Sequence, residues 1–148
     1  MVNTKWINLR SIAIFWSIFI GIGALGGSLM MFIDPTGKMM GMEPMLESFQ
    51  VLPWPHIFFR NFIFPGISLL LANGITNFIS LFLLLRKNRY GALSSVICGI
   101  ILMLWICIQF IIFPLNILST LYFFFGFFQA LNGIFLMRKE KRDQVHNT

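Results

Sequence analysis

Residues 91–113 read GALSSVICGIILMLWICIQFIIF, twenty-three positions without one charged side chain. As a helix rising 1.5 Å per residue this run is about 34 Å long, enough for a hydrocarbon core of about 30 Å. Three further stretches share its character: Ile7–Phe32, Asn61–Leu85 and Leu115–Met137. Arg10, near the start of the first, is the only charge in the four. In lipid the backbone is satisfied only by helices or closed barrels. Apolar runs this long exclude the alternating strands of about ten residues that build a barrel. The expected fold is therefore all-α, an antiparallel bundle of four transmembrane helices forming one integral membrane domain of 148 residues.

Composition agrees. Hydrophobic residues make up 57% and charged residues 11% of the chain, against about 45–50% and about 25% in soluble globular domains. Mean hydropathy is +0.82. These values exclude a water-soluble enzyme, a disordered chain and a secreted disulfide scaffold. Cys98 and Cys107 lie nine residues apart on one expected helix, roughly 13 Å along its axis and on opposite sides. That is beyond the ~7 Å Cα limit for a disulfide.

Orientation follows from Lys and Arg. Nine of the eleven basic residues (Lys5, Arg10, Arg86, Lys87, Arg89, Arg138, Lys139, Lys141 and Arg142) fall at one end of the expected bundle. The positive-inside rule makes that end cytoplasmic, so both termini are expected inside. The net charge of +6 reads as topology plus contact with anionic lipid, not as nucleic-acid binding. The first span has a basic start, but its apolar stretch exceeds the ~7–15 residues of a signal peptide and no clear cleavage site follows; a retained helix is expected.

The links are unequal. Arg86–Tyr90 is a short turn and Pro114 marks a tight one, whereas residues 33–60 form a loop far longer than a bundle needs. Long loops in compact domains are usually functional or disordered. Phe49, Val51, Leu52, Trp54, Ile57 and Phe58 place this one at the outer interface, with a short amphipathic helix expected from Glu43 to Phe49. Ile-Phe-Pro occurs twice, at Ile63–Pro65 and Ile112–Pro114, each at the start of an expected helix, where Pro is at home.

Transmembrane helices associate through small residues and polar contacts, because lipid tails are as apolar as Leu. Each span carries such a stripe. The first has Gly23-x-x-x-Gly27 and Ala24-x-x-x-Ser28, with Gly21 and Gly26 beside them; the second has Gly66, Asn73, Asn77 and Ser80. The third has Gly91, Ser95, Cys98, Leu102, Trp105 and Gln109, and the fourth Ser119, Tyr122, Gly126, Gln129 and Gly133. Steps of three and four put each set on one helix face. Four such faces turned to one axis give a modestly polar interior.

Chemistry-bearing residues are few. Ionisable groups at membrane depth mark function by default, and this chain has none near mid-span, which weighs against proton-driven antiport. At the outer boundary, Asp34-Pro35-Thr36-Gly37 is a turn signal. A pair between Asp34 and Arg60 is expected to staple the loop to the bundle, with His56, Glu47 and Trp54 nearby. One His outside the basic cytoplasmic tail expected over residues 138–148, with the loop carboxylates Asp34 and Glu47, is thin support for acid–base work. Met39, Met40, Met42 and Met45 are soft Cu(I) ligands by chemistry, and flexible apolar filler by habit. No phosphate-cradling glycine loop is present.

The pattern Gly26-Gly27 … Ile33-Asp34-Pro35-Thr36-Gly37 … Phe64-Pro65-Gly66-Ile67 … Leu104-Trp105-Ile106 … Gln109 resembles a family of small bacterial four-helix integral membrane proteins, loosely DoxX-like in size and topology. The likeness spans most of the chain but consists of packing and turn motifs, so it implies a fold and no activity. With that resemblance, the expectation is a non-catalytic accessory or binding component of a bacterial inner membrane, holding a small apolar or lipid-like ligand between helices. Asp34, Arg60, Asn73, Asn77, Trp105 and Gln109 are the candidate ligand-binding residues. No catalytic set, metal site or cofactor is expected. Expected partners are membrane lipid and a second copy or another membrane protein. A homo-oligomeric transporter or channel subunit and an enzyme acting on lipid at the outer surface are the alternatives.

Overall fold

The computed structural model describes residues 5–146. The side chains of residues 5–8, Lys5 and Ile7 among them, and residues 147 and 148 of the basic tail lie outside the described set. Among the described residues all regular structure is helical: α1 (Lys5–Ile33), α2 (Met45–Ser48), a 3-10 turn (Phe49–Val51), α3 (Pro55–Phe58), α4 (Ile63–Leu69), a π-helical segment (Leu70–Ile75), α5 (Thr76–Leu85), α6 (Gly91–Ile112) and α7 (Ile117–His146). The segment α4–π–α5 is one continuous rod. With α1, α6 and α7 it makes four helices long and apolar enough to cross a membrane.

The rods pack as a ring in chain order. α1 lies against α4–π–α5, α5 against α6, α6 against α7, and α7 closes back onto α1. Their outward faces carry Phe15, Ile22, Phe82, Leu104, Ile111 and Leu118, all exposed. A continuous apolar surface of this kind belongs against lipid or another protein rather than water.

Local chemistry sets the helix ends. Asn116 accepts the Ser119 backbone N–H at 2.8 Å through its side-chain oxygen and so starts α7. At the opposite end Lys87 takes a left-handed backbone (φ 51°), and Asn88 accepts the Tyr90 N–H at 2.9 Å, turning α5 sharply into α6. Two expected boundaries move. α7 continues beyond Met137 to His146, because hydropathy marks where lipid ends and not where a helix does; a Lys139–Asp143 pair one turn apart supports the extension. The loop helix occupies Met45–Ser48 rather than Glu43–Phe49.

Three apolar clusters are stacked along the bundle. Ala13, Leu84, Ala92 and Leu136 fill the end that carries the basic residues. Ile20, Leu102 and Ile106 fill the middle, with Trp16, Trp105 and Tyr122 packed around them. Phe49, Phe62 and Phe113 cap the loop end, joined by Met31, Met42 and Met45. Three thioethers at that end therefore act as apolar filler in the cap, while Met39 stands exposed.

The loop is fastened to the bundle, but not by the expected ion pair. The Asp34 carboxylate is taken up by its own turn, accepting from the Met39 N–H at 2.8 Å, the Thr36 hydroxyl at 2.6 Å and the Thr36 N–H at 3.1 Å. No ion pair among the described residues joins it to Arg60. Donors within five residues need almost no chain closure, whereas Arg60 lies twenty-six positions away. The fastening runs instead through Phe62, whose N–H donates to the Pro35 carbonyl at 2.9 Å. Its ring lies where a Cβ on Gly37 would come within 2.5 Å, and Gly37 itself has φ +74°. Only glycine satisfies both demands at that position.

Candidate functional site

Between the apolar clusters lies a layer of buried amides and hydroxyls. Asn73, at 1% exposure, belongs to the π-helical segment, a feature that often accompanies function. Its carbonyl accepts from Asn77 Nδ2 at 2.8 Å, and Gln129 Nε2 of α7 donates to Asn77 Oδ1 at 2.7 Å. Next to this bridge Ser80 Oγ stands 3.0 Å from Ser94 Oγ and 3.4 Å from Ser17 Oγ, linking α5, α6 and α1. The Asn73 side-chain amide, Gln129 Oε1 and the Ser95 hydroxyl have no protein partner among the described residues. These are neutral hydrogen-bonding groups, suited to orienting a helix or a ligand and not to proton transfer near neutral pH.

A second feature opens sideways. Along the α1–α7 seam a groove of about 340 Å³ is lined by Phe15, Ile18, Phe19, Ile22, Gly23 and Tyr122. Phe15 and Phe19 stack at 5.8 Å, and Phe19 meets Phe125 edge-on at 5.4 Å. Gly23 forms the floor: a Cβ there would lie 3.2 Å from the Tyr122 hydroxyl. The groove is thus walled by aromatic and branched side chains and has one phenol at its polar end.

The third feature is a cavity of about 290 Å³ in the long loop, lined by Gln50, Pro55, His56 and Arg60. Trp54, immediately before α3, takes a left-handed backbone (φ 52°). No acid lines this cavity. Asp34 is committed to its turn, where hydrogen bonds from the Met39 N–H and then the Thr36 hydroxyl hold its carboxyl below the usual carboxylate range.

The six expected ligand-binding residues do not converge. Asn73 and Asn77 sit together in the amide layer, with Gln129 completing it. Gln109 accepts from the Ser119 hydroxyl at 3.0 Å as an α6–α7 tie. Trp105 packs in the middle apolar cluster, Asp34 belongs to the turn, and Arg60 lines the loop cavity. Reading the sequence missed the groove wall: Phe15, Ile18, Phe19 and Ile22 look like any lipid-facing positions. Gly23 and Tyr122, which the stripes of the first and fourth spans already contained, were the available signal. The π-helical segment left no signal beyond an Asn-Gly pair inside an apolar run.

Fold and sites together define an all-helical chain with four helices fit to cross a membrane, a hydrogen-bonded interior and a side groove. Comparison of the chain with protein-family models, with curated proteins and with solved structures gives no match.

Proposed function

We propose that this is a non-catalytic, multi-pass protein of a bacterial inner membrane, both termini cytoplasmic, which acts as an accessory component by holding a lipid-like chain. The observation that carries the reading is the α1–α7 groove. Its volume of about 340 Å³ falls within the ~300–1,000 Å³ of small-molecule sites, which are mostly apolar with a few placed polar groups. Phe15, Ile18, Phe19 and Ile22 match an acyl or isoprenoid chain, and the Tyr122 hydroxyl meets a single oxygen on it. The DoxX-like likeness enters this proposal for size and helix number alone.

Two alternatives fare less well. Transport needs a continuous polar path, whereas the amide layer lies between buried apolar clusters toward both ends of the bundle. Lipid hydrolysis at the loop needs an acid beside His56, whereas the cavity shared by His56 and Arg60 is lined by neither Asp34 nor Glu47.

The test is photolabelling of the reconstituted protein with a phospholipid bearing a diazirine in its acyl chain. Labelling is expected to concentrate in the peptide containing Phe15–Gly23 and to fall in Gly23→Phe, whose side chain fills the groove. Uniform labelling around the apolar belt, or labelling unmoved by Gly23→Phe, refutes the reading.

A further inference from the structure

The groove leaves the loop cavity unexplained. Arg60 makes no ion pair or hydrogen bond among the described residues, although an unpaired guanidinium in a cavity is a strong anion receptor with a fork suited to phosphate oxygens. His56 and Gln50 add donors to the same cavity, and Pro55 supplies an apolar wall. Arg60 stands three residues before α4 begins at Ile63, at the level where a spanning helix leaves the hydrocarbon. Trp54 and Ile57, beside the cavity in sequence, are 70% and 72% exposed, and Phe58 is exposed too. Trp favours the headgroup level of a bilayer, and a rim of this kind seats lipid chains where a soluble anion has no use for it.

We infer that the Gln50–His56–Arg60 cavity binds the headgroup of an anionic glycerophospholipid through its phosphodiester, with the chains lying over Trp54, Ile57 and Phe58. The preference for an anionic over a zwitterionic lipid follows from what is missing around the cavity. An ammonium group carried by the headgroup would enter beside Arg60 with no carboxylate in the cavity wall to receive it, since Asp34 is held in its turn, Glu43 is 3.7 Å from Lys38 and Glu47 is not among the residues that line the cavity. A hydroxyl-bearing headgroup instead meets the Gln50 amide. The cavity, at about 290 Å³, has room for a headgroup and not for the chains.

Native mass spectrometry of the full chain, titrated separately with phosphatidylglycerol and phosphatidylcholine, tests this. Wild type is expected to retain phosphatidylglycerol preferentially. Arg60→Gln is expected to weaken that retention about tenfold, the size of one lost charge-assisted contact, while Lys38→Gln, on the same loop but outside the cavity, leaves it unchanged. Equal retention of the two lipids, or retention unmoved by Arg60→Gln, overturns the inference. Displacement of the bound lipid by millimolar glycerol 3-phosphate also overturns it, assigning the cavity to a soluble phosphate ester. Should Arg60→Gln misfold, Gln50→Ala and His56→Ala probe the same cavity, and no loss in either is equally fatal. Gly23→Phe separates the two sites: its loss of chain labelling must leave the headgroup preference intact.

Discussion

Helix α7 has two flanks built on opposite principles. Toward α6 it touches backbone to backbone: a Cβ on Gly99 would lie 2.5 Å from the Gly126 carbonyl and 2.6 Å from the Ala130 nitrogen, and one on Gly133 would lie 2.8 Å from Val96 Cγ2. Toward α1 it is held at intervals. Arg10 reaches Glu140 and donates to the Leu84 carbonyl at 2.9 Å. Asn132 donates to the Leu9 carbonyl at 3.0 Å, Trp16 meets Phe125 at 5.6 Å, and beyond that Gly23 admits the Tyr122 hydroxyl, with the groove opening beside them. On one flank glycine lets backbone meet backbone, and on the other it admits a single phenol beside an open groove. The same residue type thus marks a lock on one side and an apolar groove on the other, and neighbours rather than spacing decide which.

Mutations sharpen this contrast in a definite order. The largest effect belongs to Gly99→Leu: with carbonyl and amide atoms in the way, the helices must separate, and overpacking of this kind costs about 1–3 kcal/mol or more. Thermal unfolding in detergent should show a clear drop, and an unchanged midpoint would mean the α6–α7 seam is not closed. Next come the amides where the flanks meet. Gln129→Leu breaks a bond to Asn77 and should cost about 0.6–1.7 kcal/mol, whereas Asn73→Leu, which removes an amide without a protein partner, should be neutral or stabilising. If both lose stability equally in the same assay, the hydrogen-bond assignment of the layer is wrong. The smallest effect is expected at Gly26, where an added Cβ meets nothing within 4 Å; Gly26→Ala should stay within about 0.5 kcal/mol of wild type. A large loss there would show that α1 packs against a partner through that face.

Much of the architecture was legible because it follows from length and hydropathy. The run ending at Leu85 and the run starting at Gly91 are bounded by Arg86–Tyr90, whose charges and Asn leave no alternative. Stripes at steps of three and four correctly turned Asn77, Ser80, Ser95, Cys98, Gly126 and Gln129 inward. The stripe rule failed where it had to choose among adjacent glycines. Gly23 and Gly27 share a face by spacing, yet one meets Tyr122 of α7 and the other Leu69 of α4, while Gly26 faces outward. At the loop end, Asp34 and Arg60 were matched by charge alone, and the short-range donors of Thr36 and Met39 won. Which neighbours a loop cavity or a side groove collects is a tertiary matter, and no periodicity encodes it.

The π-helical segment at Leu70–Ile75 has a mechanical consequence. Such a turn houses one residue beyond the α-helical register, so the stretches before and after it are indexed separately about a common axis. Gly66 can thereby nestle under Phe32 while Asn77 reaches Gln129. Deleting a single residue within the widened turn would let the rod relax to uniform winding, swinging its loop-proximal half by roughly 100° and unseating either Gly66 or Asn77. The rod works as two keys cut on one shank.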